Sequence, residues 1–384
     1  MRILMLNYEY PPLGGGGGVA AKKLAEGFIK LGHHVDYITT GFEGLKEFEV
    51  INGVNVYRVK VVGRKELATA TMSSMVSFPF LAYKKACDLC KKNDYFFINS
   101  HFAIPTGLLG VWISRKFKIP HILSIHGGDI YDPSKKNSPH RKWYLRKTVE
   151  KVINKSDYVV AQSSNTKENA LKYYSVQKGV DIIPLAYESF EFDEVSRKDM
   201  GLEEDLFYTI SVGRLVKRKG FDFLLNSVEK TPDNVHALIV GEGPEKENLI
   251  SLAKELKIMD RVHFLGFVSE VEKFQYLQNS DVYVLSSMHE GFGISLQEAM
   301  QVGLPIVSTD YGGQIDFVNE GENGFLVKYG NIDDMADRIK KIADNKQLKV
   351  AFSQYNKKVV EKFNDEVICK EYIEVLEKKH IPAI

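Results

Sequence analysis

Apolar residues recur along this chain with two periods that take turns. Short, mostly apolar runs rich in β-branched and aromatic side chains, "RILMLN", "HVDYIT", "VNVYRVKV", "YFFINS", "HILSIH" and "DYVVAQ", occupy the first half. Near-continuous hydrophobicity of this kind belongs to strands buried on both faces. Between most of them lie stretches with helical period, such as "VAAKKLAEGFIKLG", which stops at a glycine. The pattern then restarts with "FYTISV", "VHALIV", "RVHFLGF", "DVYVLSS", "LPIVST" and "GFLV", again with helical segments between. This alternation predicts an α/β architecture of parallel sheets covered by helices on both faces.

Twelve such runs would make one very large sheet, but the middle of the chain interrupts them. "IIPLAYESFEFDEVSRKDMGLEEDL" carries a proline, clustered acids and no clear period, so it reads as a linker near 184–205. We therefore expect two Rossmann-like, doubly wound domains facing each other across a cleft, one in residues 1–188 and one in 189–364. The last stretch, "DEVICKEYIEVLEKKH", is helical in pattern. A helix in 365–384 can pack back on the first domain.

Length and charge narrow the function classes. The 384 residues suit two domains, and a net charge of +1 gives no general attraction to nucleic acid. No apolar run reaches the roughly 18 residues of a membrane-spanning helix. Asn7 and Glu9 interrupt the first apolar run and two prolines follow, a poor fit to a signal peptide. Of three cysteines, Cys87 and Cys90 form a CxxC within a helical pattern. With no second ligand pair nearby, they read as two thiols on one helix face in a reducing cytoplasm.

Candidate chemistry begins at "EYPPLGGGGGVAAKKLAEGF", where five glycines stand between a strand and a helix. Glycine tolerates positive φ and close approach of a ligand, and a strand, glycine turn and helix start together present backbone N–H groups to an anion. Gly15, Gly17 and Ala20 formally satisfy the dinucleotide fingerprint G-x-G-x-x-A. However, "YEYPPL" spaces the strand too far from the first glycine, and Asp36 lies inside its strand rather than at the tip. A dehydrogenase is the rival reading.

In the second half, "SVGRLVKRKGFDFLL" puts Arg214 at a strand end and Lys219 before a helix, two cations suited to a diphosphate. "HEGFGISLQEAM" sets Glu290 on the loop after a strand and Glu298 inside the following helix. Gly291 and Gly293 flank Phe292, leaving amides at a helix start that favours anions. The two carboxylates fall on the order of 10 Å apart along such a helix. A sugar and a ribose joined through a diphosphate can each donate hydroxyls to one of them.

These residues resemble a known family. "EGFGISLQEAM" looks like the E-x7-E motif of the retaining nucleotide-sugar glycosyltransferases of family 4, which have the GT-B fold. "GRLVKRKG" is similar to that family's donor-diphosphate motif and "PPLGGGGGVAAKKLAEGFIKLGHHV" to its N-terminal loop and helix. "SIHGGDIY", "VGEGPEKENL" and "VHFLGFVS" match in order and spacing over nearly the whole chain. The resemblance implies that Arg214 and Lys219 neutralise the leaving diphosphate, Glu298 accepts the ribose hydroxyls and Glu290 holds the donor sugar. Amides of Phe292, Gly293 and Ile294 would reach sugar or phosphate, and Val268 would contact the base through its main chain. Gly15, Gly16 and Gly17 would approach the diphosphate and the acceptor from the other domain. His126 would line the cleft near the sugar, with Asp129 holding its loop.

The same resemblance implies transfer with retention, by front-face attack in which the leaving phosphate helps take the acceptor proton. The chain has no D-x-D pair, so no metal is expected, and no cofactor beyond the UDP- or GDP-linked sugar that acts as co-substrate. A glycan, lipid-linked or small-molecule acceptor is implied, and no nucleic acid. Two departures touch the donor side: "IPLAYES" replaces the family's asparagine–glycine turn at the linker, and Gln314 and Asp316 stand where a residue followed by glutamate is common. A sugar-nucleotide epimerase or a non-catalytic donor-binding protein on the same fold is the alternative. Finally, "TATMSSMVSFPFLAYKKACDLCKK" and "SKKNSPHRKWYLRKTVEK" give the first domain apolar and basic surface. Such surface suits peripheral attachment to the anionic inner face of the cell membrane, in a cytoplasmic protein.

Overall fold

The computed structural model describes residues 1–377 apart from 68, 136 and 188. The expected terminal helix thus extends, at 378–384, outside the described residues. In chain order the elements are β1 (Arg2–Leu6), α1 (Gly16–Lys30), β2 (His34–Thr40), β3 (Phe48–Ile51), β4 (Val54–Val59), α2 (Met72–Lys92), β5 (Phe97–His101), α3 (Leu108–Phe117), β6 (His121–Ile125), α4 (Trp143–Lys155), β7 (Tyr158–Ala161), α5 (Ser164–Tyr173) and β8 (Asp181–Ile182). There follow β9 (Phe207–Val212), α6 (Phe221–Glu229), β10 (Val235–Val240), α7 (Lys246–Glu255), β11 (Val262–Gly266), α8 (Glu270–Gln278), β12 (Val282–Leu285), α9 (Ile294–Gln301), β13 (Ile306–Thr309), β14 (Gly324–Val327), α10 (Ile332–Ala343), α11 (Lys346–Val360) and α12 (Asp365–Glu377).

The chain divides into two compact units, Met1–Glu188 with Phe363–Ile384, and Ser189–Lys362. The first unit holds a sheet in the order β3-β4-β2-β1-β5-β6-β7-β8. Its pairings are parallel except that of β3 with β4. β3 is an edge strand whose Phe48 and Val50 face solvent, so it lacks the apolar run of a buried strand. Its hairpin turns on Asn52 and Gly53, both at positive φ, and that Asn-Gly pair was the signal available in the sequence. The central strand β1 is apolar on both faces because helices cover both: Ile3 and Met5 pack with α1 and α12, Leu4 and Leu6 with α2.

Helix α12 lies far along the chain yet completes this first core. Ile368, Cys369, Tyr372, Val375 and Leu376 join Ala21, Leu24, Ala25 and Phe28 of α1 in one cluster. Gly27 makes the approach possible, since a Cβ there would sit 2.8 Å from Cys369 Sγ. Lys30 pairs with Asp365 at 2.8 Å, at the C-terminal end of α1 where a cation is favourable and the N-terminal end of α12 where an anion is.

The second unit carries the order β11-β10-β9-β12-β13-β14, all parallel. Both sheets therefore start in the middle, build one side, and jump back across the first strand. That reversal opens a crevice at the carboxyl ends of β1 and β5 in one unit and of β9 and β12 in the other, where open α/β sheets bind ligands.

Candidate active site

In the second unit the β9–α6 loop reaches across to the loop after β12. Gly220 at φ 63 permits this, because a Cβ there would lie 2.1 Å from the Ser286 carbonyl oxygen. Arg214 stands exposed at the end of β9. Lys219 turns inward, its Nζ 2.6 Å from Glu290 Oε1, and Ser287 Oγ donates to the same oxygen at 2.8 Å. Arg218 Nη1 lies 3.4 Å from that oxygen and donates to the His289 carbonyl at 2.6 Å. Burial by itself would raise the Glu290 carboxyl, but the Lys219 and Arg218 charges pull it down to about 2. Two residues expected to serve separate parts of a ligand, Lys219 and Glu290, are thus joined to each other. Arg218 went unnoticed in the sequence, where it is one more member of a basic run.

The Gly312–Gly313 pair presses on the Glu290 segment. A Cβ at Gly312 would come 2.5 Å from Glu290 O, and Gly313 N donates to that oxygen at 2.9 Å. Gln314, the departure noted in the sequence, is fully buried and shapes this turn, its amide donating to Thr309 O at 2.8 Å and Tyr311 O at 3.1 Å. Gly293 at φ 110 then opens α9, whose first residue is Ile294, while the Phe292 ring packs inward on Phe317. Glu298, buried in α9, meets Lys273 Nζ of α8 at 2.9 Å. Val268 lies just ahead of α8, beside the exposed Phe267.

In the first unit the glycines are only partly a loop. Gly15 precedes the helix, while Gly16, Gly17 and Gly18 form the first turn of α1, a correction to the expected glycine turn. Glu9, missed from the sequence, folds back so that Gly15 N donates to its Oε2 at 3.1 Å. Burial raises the Glu9 carboxyl against the pull of Gly15 and Arg64. Gly17 is bare because the Phe102 ring abuts it: a Cβ would stand 2.4 Å from Phe102 Cζ. Phe102 follows β5 at φ 71, a conformation rare for a bulky residue, and its ring lies 4.7 Å from that of His126.

Both nitrogens of His126 are engaged. Nε2 lies 2.8 Å from His101 Nδ1 and Nδ1 lies 3.1 Å from Gln162 Oε1. Burial lowers His126 to about 4 and His101 well below its usual value, so the pair is neutral at neutral pH. Asp129 ties two loops together, accepting from His126 N at 2.9 Å and Ala103 N at 2.6 Å. Burial lifts its carboxyl to about 6 in spite of those bonds. Asp36, discounted as a ribose ligand, is a buried hub within β2, bonded to Arg2, Tyr95 and Asn55. Among the described residues no group of three or more His, Cys, Asp and Glu could hold a metal ion.

Comparison with known proteins covers both units. Residues 14–188 match the family described as Glycosyltransferase Family 4, and residues 192–359 match Glycosyl transferases group 1. An uncharacterized glycosyltransferase of Methanocaldococcus jannaschii is 30% identical over 396 aligned positions, spanning 98% of this chain and 97% of that one. Sucrose-phosphate synthase from Thermosynechococcus elongatus superposes with a TM-score of 0.84 at 20% identity, covering 99% of each chain. Anabaena HepE, solved with UDP and glucose, gives 0.80 at 20% identity over 98% of this chain and all of that one. At such identity the solved structures bear on the fold alone, which is GT-B.

Proposed function

This chain belongs to glycosyltransferase family 4, and on that premise we propose that it moves a hexose or N-acetylhexosamine, with retention, from a nucleotide diphosphate sugar to a glycan, lipid-linked or small-molecule acceptor. The observation that carries the reading is the cluster of Arg218, Lys219 and Glu290, with Arg214 nearby in sequence, at the switch point of the second sheet. Breaking the bond from the anomeric carbon to phosphate oxygen leaves negative charge on the diphosphate. Fixed cations and the amides of Phe292, Gly293 and Ile294 stabilise that charge as it develops, with no metal required. The acceptor oxygen bonds to the same face of the anomeric carbon, and its proton passes to the departing phosphate oxygen.

Glu298 then takes the ribose hydroxyls, the main chain at Val268 the base, and Glu290 the sugar hydroxyls. Glu290 is suited to this because it is ionised and already accepts several bonds on one oxygen. Gly15, Gly16 and Gly17 approach the diphosphate and the acceptor through their main chain, and His126, with its support Asp129, lines the sugar side. UDP or GDP is the leaving group in this reading; a protein of the same fold, Anabaena HepE, was solved with UDP and glucose. The exposed apolar residues of α2 and the start of α4 are the surface that meets an anionic membrane at its cytoplasmic side.

Nucleoside diphosphate release should require an acceptor, and Lys219→Ala and Glu298→Ala should each cut turnover about 100-fold or more with folding intact. Release of diphosphate without an acceptor would favour an epimerase, and near-normal turnover in both variants would reject the assignment. Turnover should also survive a chelator.

A further inference from the structure

Lys273 is a buried ionisable group in contact with Glu298, a proposed donor ligand, and the reaction scheme leaves it without a task. It lies one turn into α8, and its ammonium bonds Glu270 of the same helix at 2.8 Å and Glu298 of α9 at 2.9 Å. Its side chain is about as buried as that of Glu298 itself. Burial opposes the ammonium form, yet the two carboxylates more than offset it and the lysine stays charged. An apolar pair would hold two helices together at no desolvation cost, so a buried ion pair here calls for a reason other than stability.

We infer that Lys273 is a positioning residue for nucleotide recognition: it fixes the Glu298 carboxylate so that the ribose 2′-hydroxyl of the donor is read. This rests on the reading of Glu298 as the ribose acceptor. A carboxylate accepts through two oxygens, and bonds to an ionised acceptor are the strong ones. With Lys273 gone, the Glu298 carboxylate loses the cation that stands 2.9 Å from its Oε1, and with it that constraint on its orientation. Lys273 also joins the two elements that would flank a nucleoside, since α8 begins just after Val268 and α9 carries Glu298. Its ion pairs are with Glu270 and Glu298 and not with the diphosphate cluster, so its effect should appear first in nucleoside affinity and reach turnover only through Glu298.

The test measures calorimetric affinities of the full chain for UDP and GDP and for their 2′-deoxy forms. The preferred ribonucleotide should bind the native chain about tenfold tighter or more than its deoxy form, the size expected of a bond to a charged group. In Lys273→Met that ratio should fall close to one, with the loss confined to the ribonucleotide, while affinity for the 2′-deoxy form stays within about threefold of native and turnover falls in the same direction as in Glu298→Ala. Lys273→Arg should restore most of the ratio, and Glu270→Ala should leave it unchanged. Lys273→Gln supplies the same reading should the methionine variant fail to fold. A native preference that survives in the folded Met or Gln variant overturns the inference while leaving Glu298 on the ribose. A native chain that binds both forms equally overturns the ribose assignment, and the inference with it.

Discussion

At the residue scale, the histidines of the first unit carry a definite pH signature. His126 at about 4, His121 at about 3 and His101, well below its ordinary value, are all depressed by burial. The unfolded chain takes up these protons near pH 6.5, so stability is lost as pH falls below that value. Asp129, raised to about 6, has the opposite sign: its folded form holds a proton that the unfolded form has released, which favours folding at lower pH. Glu9, also raised by burial, acts in the same sense as Asp129, and the three histidines outweigh these two carboxyls. The melting temperature should therefore drop by about 5 °C or more between roughly pH 6.5 and 4.5, and melts that are flat or rising over that span would contradict the burial described. Glu290 and Glu298 could be proposed from the sequence because their spacing about the start of α9 is a local pattern, and Arg214 because it stands just past a strand end. His101, Arg218 and Lys273 were not, because each matters through a partner at least 25 positions away.

At the element scale, α12 shows how a helix can be legible while its address is not. Its apolar spacing is plain, but the choice of α1 as partner depends on Gly27 and on the match of Lys30 with Asp365. Ile368 is essentially fully buried in that interface. Ile368→Ala should cost about 2–5 kcal/mol in denaturant unfolding of the full chain, as for other large-to-small changes in a packed core. A loss under about 0.5 kcal/mol would mean that α12 is not docked there. The glycine segment has a similar lesson. Only folding brings Phe102 and Glu9 against the first turn of α1, so side chains at Gly17 and Gly18 are excluded by the protein's own atoms.

At the scale of the whole molecule, near-neutral net charge conceals uneven surface. Among the described residues no helix is long and apolar enough to cross a membrane. Yet α2 exposes Met72, Val76, Phe80 and Leu81, and Trp143 at the start of α4 is 74% exposed. Phe80, Tyr83 and Trp112 flank Arg115 and Lys116 in an open groove of about 590 Å³. Aromatic side chains with cations close by favour an anionic interface. The chain should sediment with anionic vesicles at low salt, less at high salt, and Phe80→Ser with Trp143→Ser should reduce the bound fraction severalfold. Absence of binding to anionic vesicles at low salt removes this reading.

The sequence by itself determined the alternation of strand and helix, the break between two units and the family motifs, because each is written in residues a few positions apart. It also placed Arg214, Lys219 and Glu290 on loops at strand ends. Tertiary structure alone decided that Lys219 and Arg218 share one oxygen of Glu290, that His126 is held from both sides by His101 and Gln162, and that α12 closes the first core. The physical reason is that burial and pairing are properties of the assembled sheet order, in which strands distant along the chain become neighbours. A local pattern fixes which side chains are available at an edge, whereas only the packed edge fixes what each of them faces.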